Sequence, residues 1–447
     1  MKTGGPITLA APARFPATPP AQADVVIIGG GIAGVMTALY LAEAGQRVTL
    51  CEKGRIAGEQ SSRNWGWVRQ QGRDPGELPI MVEALRLWQG LDQRLGEAVS
   101  LRRTGTTYLA ASEVDLASYE SWLPHARAHG LDTHLLGRAE LDQILPNAAG
   151  WVGALTTPSD ARAEPWTAVP AIAGLAADAG VTICEDCAVR GVETSGGRIS
   201  GVVTEKGRIA APLVLLAGGA WSSLFAGNAG LWFPQLSVRA TVAATEEMPD
   251  FHAGNAADAG FAFRRRADGG YTLAPGIGHD FWIGPAAFRN LRAFLPQIRR
   301  DLSHTRLSPA APKGFPDAWG TARRWGPDDV SPFERMRVLD PAPNMARIER
   351  LRSDFASAFP KLGKPGIARA WAGMIDVTPD QVPILDQSRI PGFFIATGLS
   401  GHGFGIGPGI GRVMADLMLG KPVGHDLTRF RFARFSDGSK IELGPSI

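Results

Sequence analysis

Gly29, Gly31 and Gly34 stand at the spacing Gly-x-Gly-x-x-Gly. Glu52 follows about 20 residues past that loop. Residues of these types in this order can hold a dinucleotide. Gly29 permits a tight turn, Gly31 lets backbone approach a pyrophosphate, and Gly34 lets a helix pack close to a strand. The helix N-terminus then faces the negative charge, and the Glu52 carboxylate can accept from ribose hydroxyls.

The elements that must position these residues are readable around them. The apolar run Val25-Val26-Ile27-Ile28 is a strand leading into the loop. A helix over roughly 32–44 puts Val35, Leu39 and Ala42 on one face, with Gly45 as its C-cap. A second strand, Val48 to Cys51, ends at Glu52. Much later, Leu213-Val214-Leu215-Leu216 reads as a buried strand opening into a Gly loop. Gly392 to Thr397 is a further strand, followed by a Gly-rich loop over 398–409 and a helix over about 410–419. This last unit lacks the Gly-x-Gly-x-x-Gly spacing, so it is not a second nicotinamide module. One cofactor gripped from both ends of the sequence accounts for the pattern, with a β-rich region inserted between.

In that region the spacing of Met81, Leu85, Trp88 and Leu91 predicts a helix, and Thr106 to Ala110 a strand. Helices are expected near 166–179 and 344–359. Alternation over 232–290, with the turn Asp268-Gly269-Gly270, predicts antiparallel strands. Residues 300–345 are rich in Arg and Pro and show no clear pattern.

The composition excludes several classes. A net charge of +3 on 447 residues gives no reason to expect nucleic acid. No apolar run is long enough to span a bilayer. Cys51, Cys184 and Cys187 do not make a disulfide framework, which points to a reducing, cytoplasmic setting. Cys184-x-x-Cys187 has no second pair for tetrahedral zinc, so both read as structural thiols and no metal site is expected. Residues 1–23, rich in Ala and Pro, make a poor signal peptide and read as a mobile leader. The tail Arg429 to Phe435 alternates basic and aromatic residues, as an edge strand with one packed face would.

Four segments resemble the D-amino acid oxidase and sarcosine oxidase superfamily of FAD-dependent oxidoreductases. They are the Gly29–Glu52 unit with Lys53, then Gln60-Ser61-Ser62-Arg63-Asn64-Trp65-Gly66, then Leu215-Leu216-Ala217-Gly218-Gly219-Ala220-Trp221-Ser222. The fourth is Trp371-Ala372-Gly373-Met374-Ile375-Asp376-Val377-Thr378-Pro379-Asp380 with Gly398-Leu399-Ser400-Gly401-His402-Gly403-Phe404-Gly405-Ile406-Gly407-Pro408.

The resemblance implies an α/β plus α+β fold. A Rossmann-like FAD domain is assembled from discontinuous segments, expected at 24–80, 150–228 and 365–425. An antiparallel-sheet substrate domain is expected at 81–149 and 229–364, with a tail at 426–447. It implies FAD contacts from Gly29, Gly31, Ile32, Ala33, Gly34, Glu52, Lys53, Ser61, Ser62, Asn64, Trp65, Gly66, Val189, Ala217, Gly218, Trp221, Gly373 and the Gly401-His402-Gly403-Phe404-Gly405-Ile406 run.

Such enzymes oxidise a C–N bond of an amino acid, N-substituted amino acid or related amine. Hydride passes to flavin N5, and the imine hydrolyses. The electrons then go to oxygen, a quinone or another carrier. By resemblance His402 sits beside the flavin, His279 on the substrate side, and Arg69 is placed to pair with a substrate carboxylate. A helix starting near Gly407-Pro408 would aim its N-terminal dipole at the reduced ring. Trp65, Trp67, Trp282 and Trp371 fall near the site segments and could form an aromatic wall.

Two departures sharpen this. Some sarcosine-oxidising relatives carry a basic residue where this chain has Gly405, so a substrate acid group is held elsewhere or absent. Relatives with covalent flavin use a histidine in the small-residue loop or a later cysteine. Here Asn64 and Trp65 occupy the loop and no cysteine follows Cys187, so noncovalent FAD is expected. The alternatives are an FAD-dependent 2-hydroxy-acid dehydrogenase and a non-catalytic flavoprotein acting in assembly or as a scaffold.

Overall fold

The computed structural model describes residues 1–276, 278–300 and 305–445. Ile277, in the segment leading to His279, therefore lies outside the described residues. A six-stranded sheet carries the Gly29–Gly34 turn, in the order 384–387, 393–397, 213–216, 25–28, 48–51, 182–184. Neighbours are parallel except for the antiparallel edge strand Ile384–Gln387. All four residues of Val25–Ile28 and of Val48–Cys51 are buried, as befits a parallel sheet covered on both faces. Leu213–Leu216 pairs with Val25–Ile28 on one side and with Phe393–Thr397 on the other. The two ends of the chain thus meet on one strand.

The helix Ile32–Glu43 covers this sheet and packs against Gly403–Met418. A Cβ on Gly407 would lie 2.3 Å from Ile32 Cγ1, and one on Gly411 2.4 Å from Met36 Cβ. Glycine at these turns lets the two helix axes approach. Leu78–Leu95 flanks the same helix, burying Met81, Leu85, Trp88 and Leu91 as their spacing predicts.

An eleven-stranded sheet forms the second layer. Its spine is Leu236–Glu247 paired antiparallel with Ile367–Val377, followed by the strands 270–275, 261–265 and 255–257. Gly153–Thr157 and Ile367–Val377 belong to this sheet, so it takes in parts of two ranges expected for the FAD domain. Gly153–Thr157 pairs with Thr106–Ala110, and Ile367–Val377 with Leu236–Glu247 through a register shift at Ala244–Thr245.

Four expectations need correction. The leading segment is not free of the body. Lys2–Thr3 pairs with Arg369–Ala370, and Glu185 accepts from the amides of Arg14 and Phe15. The tail forms two short 3-10 turns, Thr428–Phe430 and Phe432–Phe435, not an edge strand. These turns bury Phe430 and seat Arg434 on Asp380 at 2.8 Å. The last helix begins at Gly403, leaving Pro408 inside it. Burial of Phe404 and Ile406 outweighs the one backbone bond that proline forgoes. Finally, the last residues of the alternating stretch 232–290 enter a helix, Pro285–Arg300. Among the described residues no helix is long and apolar enough to cross a membrane.

Candidate active site

The nucleotide end is built by close backbone approach. Gly29 has φ +111°, and a Cβ there would lie 2.4 Å from the Ala217 carbonyl oxygen. A Cβ on Gly34 would meet the Gly29 carbonyl oxygen at 2.1 Å. Only glycine allows this turn and the helix packed against it. Ser61 Oγ accepts from the Ile32 amide at 2.9 Å, tying the small-residue loop to the first helix. Glu52 accepts from the amides of Gly30 and Gly54, both at 2.8 Å. Burial pushes its pKa up to about 7, against the pull of Lys53 and those two N–H groups. The Lys53 ammonium is committed to protein: it meets Glu59 at 2.6 Å and sits 4.6 Å over the Trp221 ring.

The C-terminal loop closes the other side. Asp376, at the end of the long strand, accepts from the Gly398 amide at 2.7 Å and from Gln235 Nε2 at 3.0 Å. This anchors the turn that carries Ser400 and Gly401 into the left-handed region and delivers His402 to the head of the helix. The His402 ring is 28% exposed, and the space it is exposed to is the cavity it lines, while its Nδ1 is buried. Burial, with Arg69 and Arg73 nearby, holds its pKa well below the usual histidine range, so the ring is neutral. A Cβ on Gly405 would stand 3.0 Å from the Trp67 carbonyl oxygen, so a basic side chain has no room there.

Arg69 Nη1 donates to the Gln71 carbonyl, and its guanidinium lies 5.7 Å from the Tyr108 ring centroid. The other cavity-lining arginines are each paired: Arg55 with Asp186 at 2.7 Å, Arg63 with Asp340 at 2.5 Å, Arg73 with Glu77 at 3.3 Å. Among the described residues Arg69 alone of the four has no carboxylate partner.

From the large sheet comes His279, opening the strand His279–Trp282. Burial lowers its pKa, Arg347 adds to this, and Asp280 opposes it. Beyond it the wall turns apolar, with Phe281, Phe288, Leu291, Phe294 and Leu307.

These residues enclose one cavity of about 1020 Å³ running between the two sheets. It begins at Gly29, Gly31, Ile32 and Ala33 and passes Glu52, Lys53, Ser61, Asn64, Trp65, Val189, Ala217, Gly218, Trp221 and Gly373. It then reaches Gly401, His402, Gly403, Phe404 and Gly405, with Arg69 and His279 on the far side. Gly34, Ser62, Gly66 and Ile406, expected to touch cofactor, lie behind its wall, where they pack backbone or core. Of the four tryptophans, Trp65 and Trp67 line it. Trp282 instead packs on Phe315, and Trp371 on Trp166. Sequence reasoning missed Arg73, Glu77 and Tyr108. For the first two the signal was the acid–base spacing of one helical turn.

An elongated cavity with a glycine cradle and a half-buried carboxylate at one end, and a neutral imidazole at the other, fits a flavin dinucleotide. The sequence profile of the FAD dependent oxidoreductase family, DAO, matches residues 24–417. The chain belongs to the DAO family of FAD-dependent oxidoreductases. Within the family it is similar to sarcosine oxidase subunit beta of Rhizobium meliloti, at 26% identity over 440 residues, 97% of this chain and 93% of that one. The structure of L-amino acid deaminase from Proteus myxofaciens in complex with anthranilate superposes with a TM-score of 0.91 and 32% identity, over 98% of each chain. L-amino acid deaminase from Proteus vulgaris gives 0.88 and 31%, over 94% of this chain and 98% of that one.

Proposed function

We propose that this DAO-family protein oxidises the C–N bond of an amino acid bearing an apolar side chain. Arg69 carries the reading. A half-buried guanidinium at the cavity wall, without a carboxylate partner among the described residues, offers its fork to a substrate carboxylate, the role that Gly405 cannot fill. The side chain then extends along the apolar wall of Phe281 and the buried Phe294. Neutral His402 and His279 flank the amine and leave room for its proton to depart. The names of the similar proteins, sarcosine oxidase and L-amino acid deaminase, support nitrogen-bearing acids as the class.

FAD, held noncovalently by the Gly29–Ala33 turn, Glu52, Ser61 and the Gly401–Gly405 turn, supplies the hydride acceptor when bound. Asn64 and Trp65 in the loop, and the lack of cysteine beyond Cys187, support the noncovalent mode. The imine formed from substrate hydrolyses in water, and oxygen or a quinone takes the electrons.

Anaerobic bleaching of the flavin absorbance by a panel of amino acids, N-alkyl amino acids, amines and hydroxy acids tests this. Bleaching by apolar amino acids is the expected result, and re-oxidation by air then separates oxygen from other acceptors. Bleaching by hydroxy acids alone, or by amines lacking a carboxylate as readily as by amino acids, overturns the reading.

A further inference from the structure

Among the described residues the buried polar atoms without a hydrogen-bond partner include His402 Nδ1 and Glu77 Oε1. They belong to neighbours. Glu77 Oε2 is 4.0 Å from His402 Nδ1 and 3.3 Å from Arg73 Nη1. The side chains of Arg73 and Glu77 are each 2% exposed, so neither swings to solvent. Arg73 is pinned further, its Nε donating to the Arg69 carbonyl at 3.0 Å and its Nη2 to the His402 carbonyl at 2.9 Å. Glu77 is the N-cap residue of the helix Leu78–Leu95, which fixes its backbone.

Donor and acceptor rules decide how this cluster pairs. Buried polar atoms are normally hydrogen-bonded. Arginine only donates, an ionised carboxylate only accepts, and a neutral imidazole does one of each. Burial raises the pKa of Glu77 and Arg73 opposes this; with Glu77 ionised beside Arg73, a hydrogen bond between the pair places the hydrogen on His402 Nδ1. The gap is about 1 Å longer than a hydrogen bond, and catalytic contacts of this kind tighten when ligands fill a site.

We propose that Glu77 is the positioning residue of His402, holding Nδ1–H toward its carboxylate so that Nε2 turns a lone pair into the cavity. The proposal rests on His402 belonging to the active site, as read above. Its consequence is chemical. An amine must shed its proton before hydride can leave the adjacent carbon. The substrate ammonium N–H bond breaks and an Nε2–H bond forms, moving one positive charge onto the imidazole with no change of oxidation state. That charge would otherwise face only Arg69 and Arg73. Among the described residues Glu77, 3.3 Å from Arg73 and 4.0 Å from His402, is the carboxylate placed to offset it. The other titratable groups around the cluster are Asp74, from the same loop, and Tyr108, from the strand Thr106–Ala110.

Nitrogen NMR of histidine-labelled protein, with and without FAD, at about pH 8 reads the tautomer directly, the His402 signal being the one lost in His402→Asn. Nδ1–H as the main form is expected, and Nε2–H as the main form overturns the proposal. Kinetics supply a second reading. Glu77→Gln should lower kcat by about 10²-fold and change KM less than about threefold, with Glu77→Asp restoring part of the loss. Unchanged kcat in a folded, FAD-loaded Glu77→Gln protein also overturns it. If no amine bleaches the flavin, the proposed function fails while the NMR result still decides the tautomer.

Discussion

Glu52 makes FAD binding depend on pH, and the structure sets the size of the effect. Its carboxyl titrates at about 7 in the folded protein because it is buried. Ribose hydroxyls donate to its ionised form, so FAD selects the carboxylate and expels a proton from the rest. The apparent Kd then scales as one plus the ratio of protonated to ionised Glu52. That factor falls from roughly 11 at about pH 6 to roughly 1.1 at about pH 8, so affinity rises about tenfold over this range. Near pH 7 about half a proton is released per FAD bound. The same shift acts on folding in the opposite sense. A carboxyl raised from an ordinary 4.5 to about 7 in the folded state contributes stability below its unfolded pKa and loses it as pH climbs through the folded one. The difference is about 3 kcal/mol for the FAD-free protein. Titrating apoprotein with FAD by fluorescence quenching, and calorimetry in buffers of different ionisation heat, measure both numbers. A Kd that is flat between these pH values, or a slope that survives in Glu52→Gln, would refute the reasoning.

Other perturbations have equally definite outcomes. Arg69→Met should cut kcat/KM for amino acids by about 100-fold through KM, the worth of a charge-assisted pair, yet leave amines without a carboxylate almost unchanged. Steady-state kinetics on matched substrates checks this. Gly34→Ala drives a methyl against the Gly29 carbonyl oxygen, 2.1 Å from its Cβ, and should yield protein purified without flavin, read from the visible spectrum. Arg434→Met strands Asp380, whose side chain is 6% exposed, and should cost about 3–5 kcal/mol in urea unfolding. Asp380→Asn added to it should recover most of that loss.

The nucleotide end was legible because its contacts are local. The Cβ missing from Gly34 answers to Gly29, five residues earlier, and Glu52 lies at the end of the next strand. The reaction end was less so. His402 announces itself in a glycine run, but Arg73, whose guanidinium touches its carbonyl, lies 329 residues away. Within its own stretch Arg73 shows only an ordinary acid–base spacing. The helix Pro285–Arg300 hid behind two prolines and several arginines that interrupt the period of Phe288, Leu291 and Phe294. The leader pairs through Lys2 and Thr3 by backbone alone, which leaves no side-chain signature. In the tail, alternation suggested a strand, but no sheet edge accepts it and burial of Phe430 drew the chain into turns.

The meeting of both chain ends on Leu213–Leu216 also governs how this protein is made. A nascent chain presents Val25–Ile28 long before Phe393–Thr397. Until the final strand and its helix arrive, the Gly29 turn has no opposing Gly401–Gly405 wall. The first βαβ segment must wait for that strand with its apolar helix face uncovered, a long-range dependence that slows folding. A chain cut short of Gly401–Gly405 therefore lacks one wall of the cavity and should purify without colour.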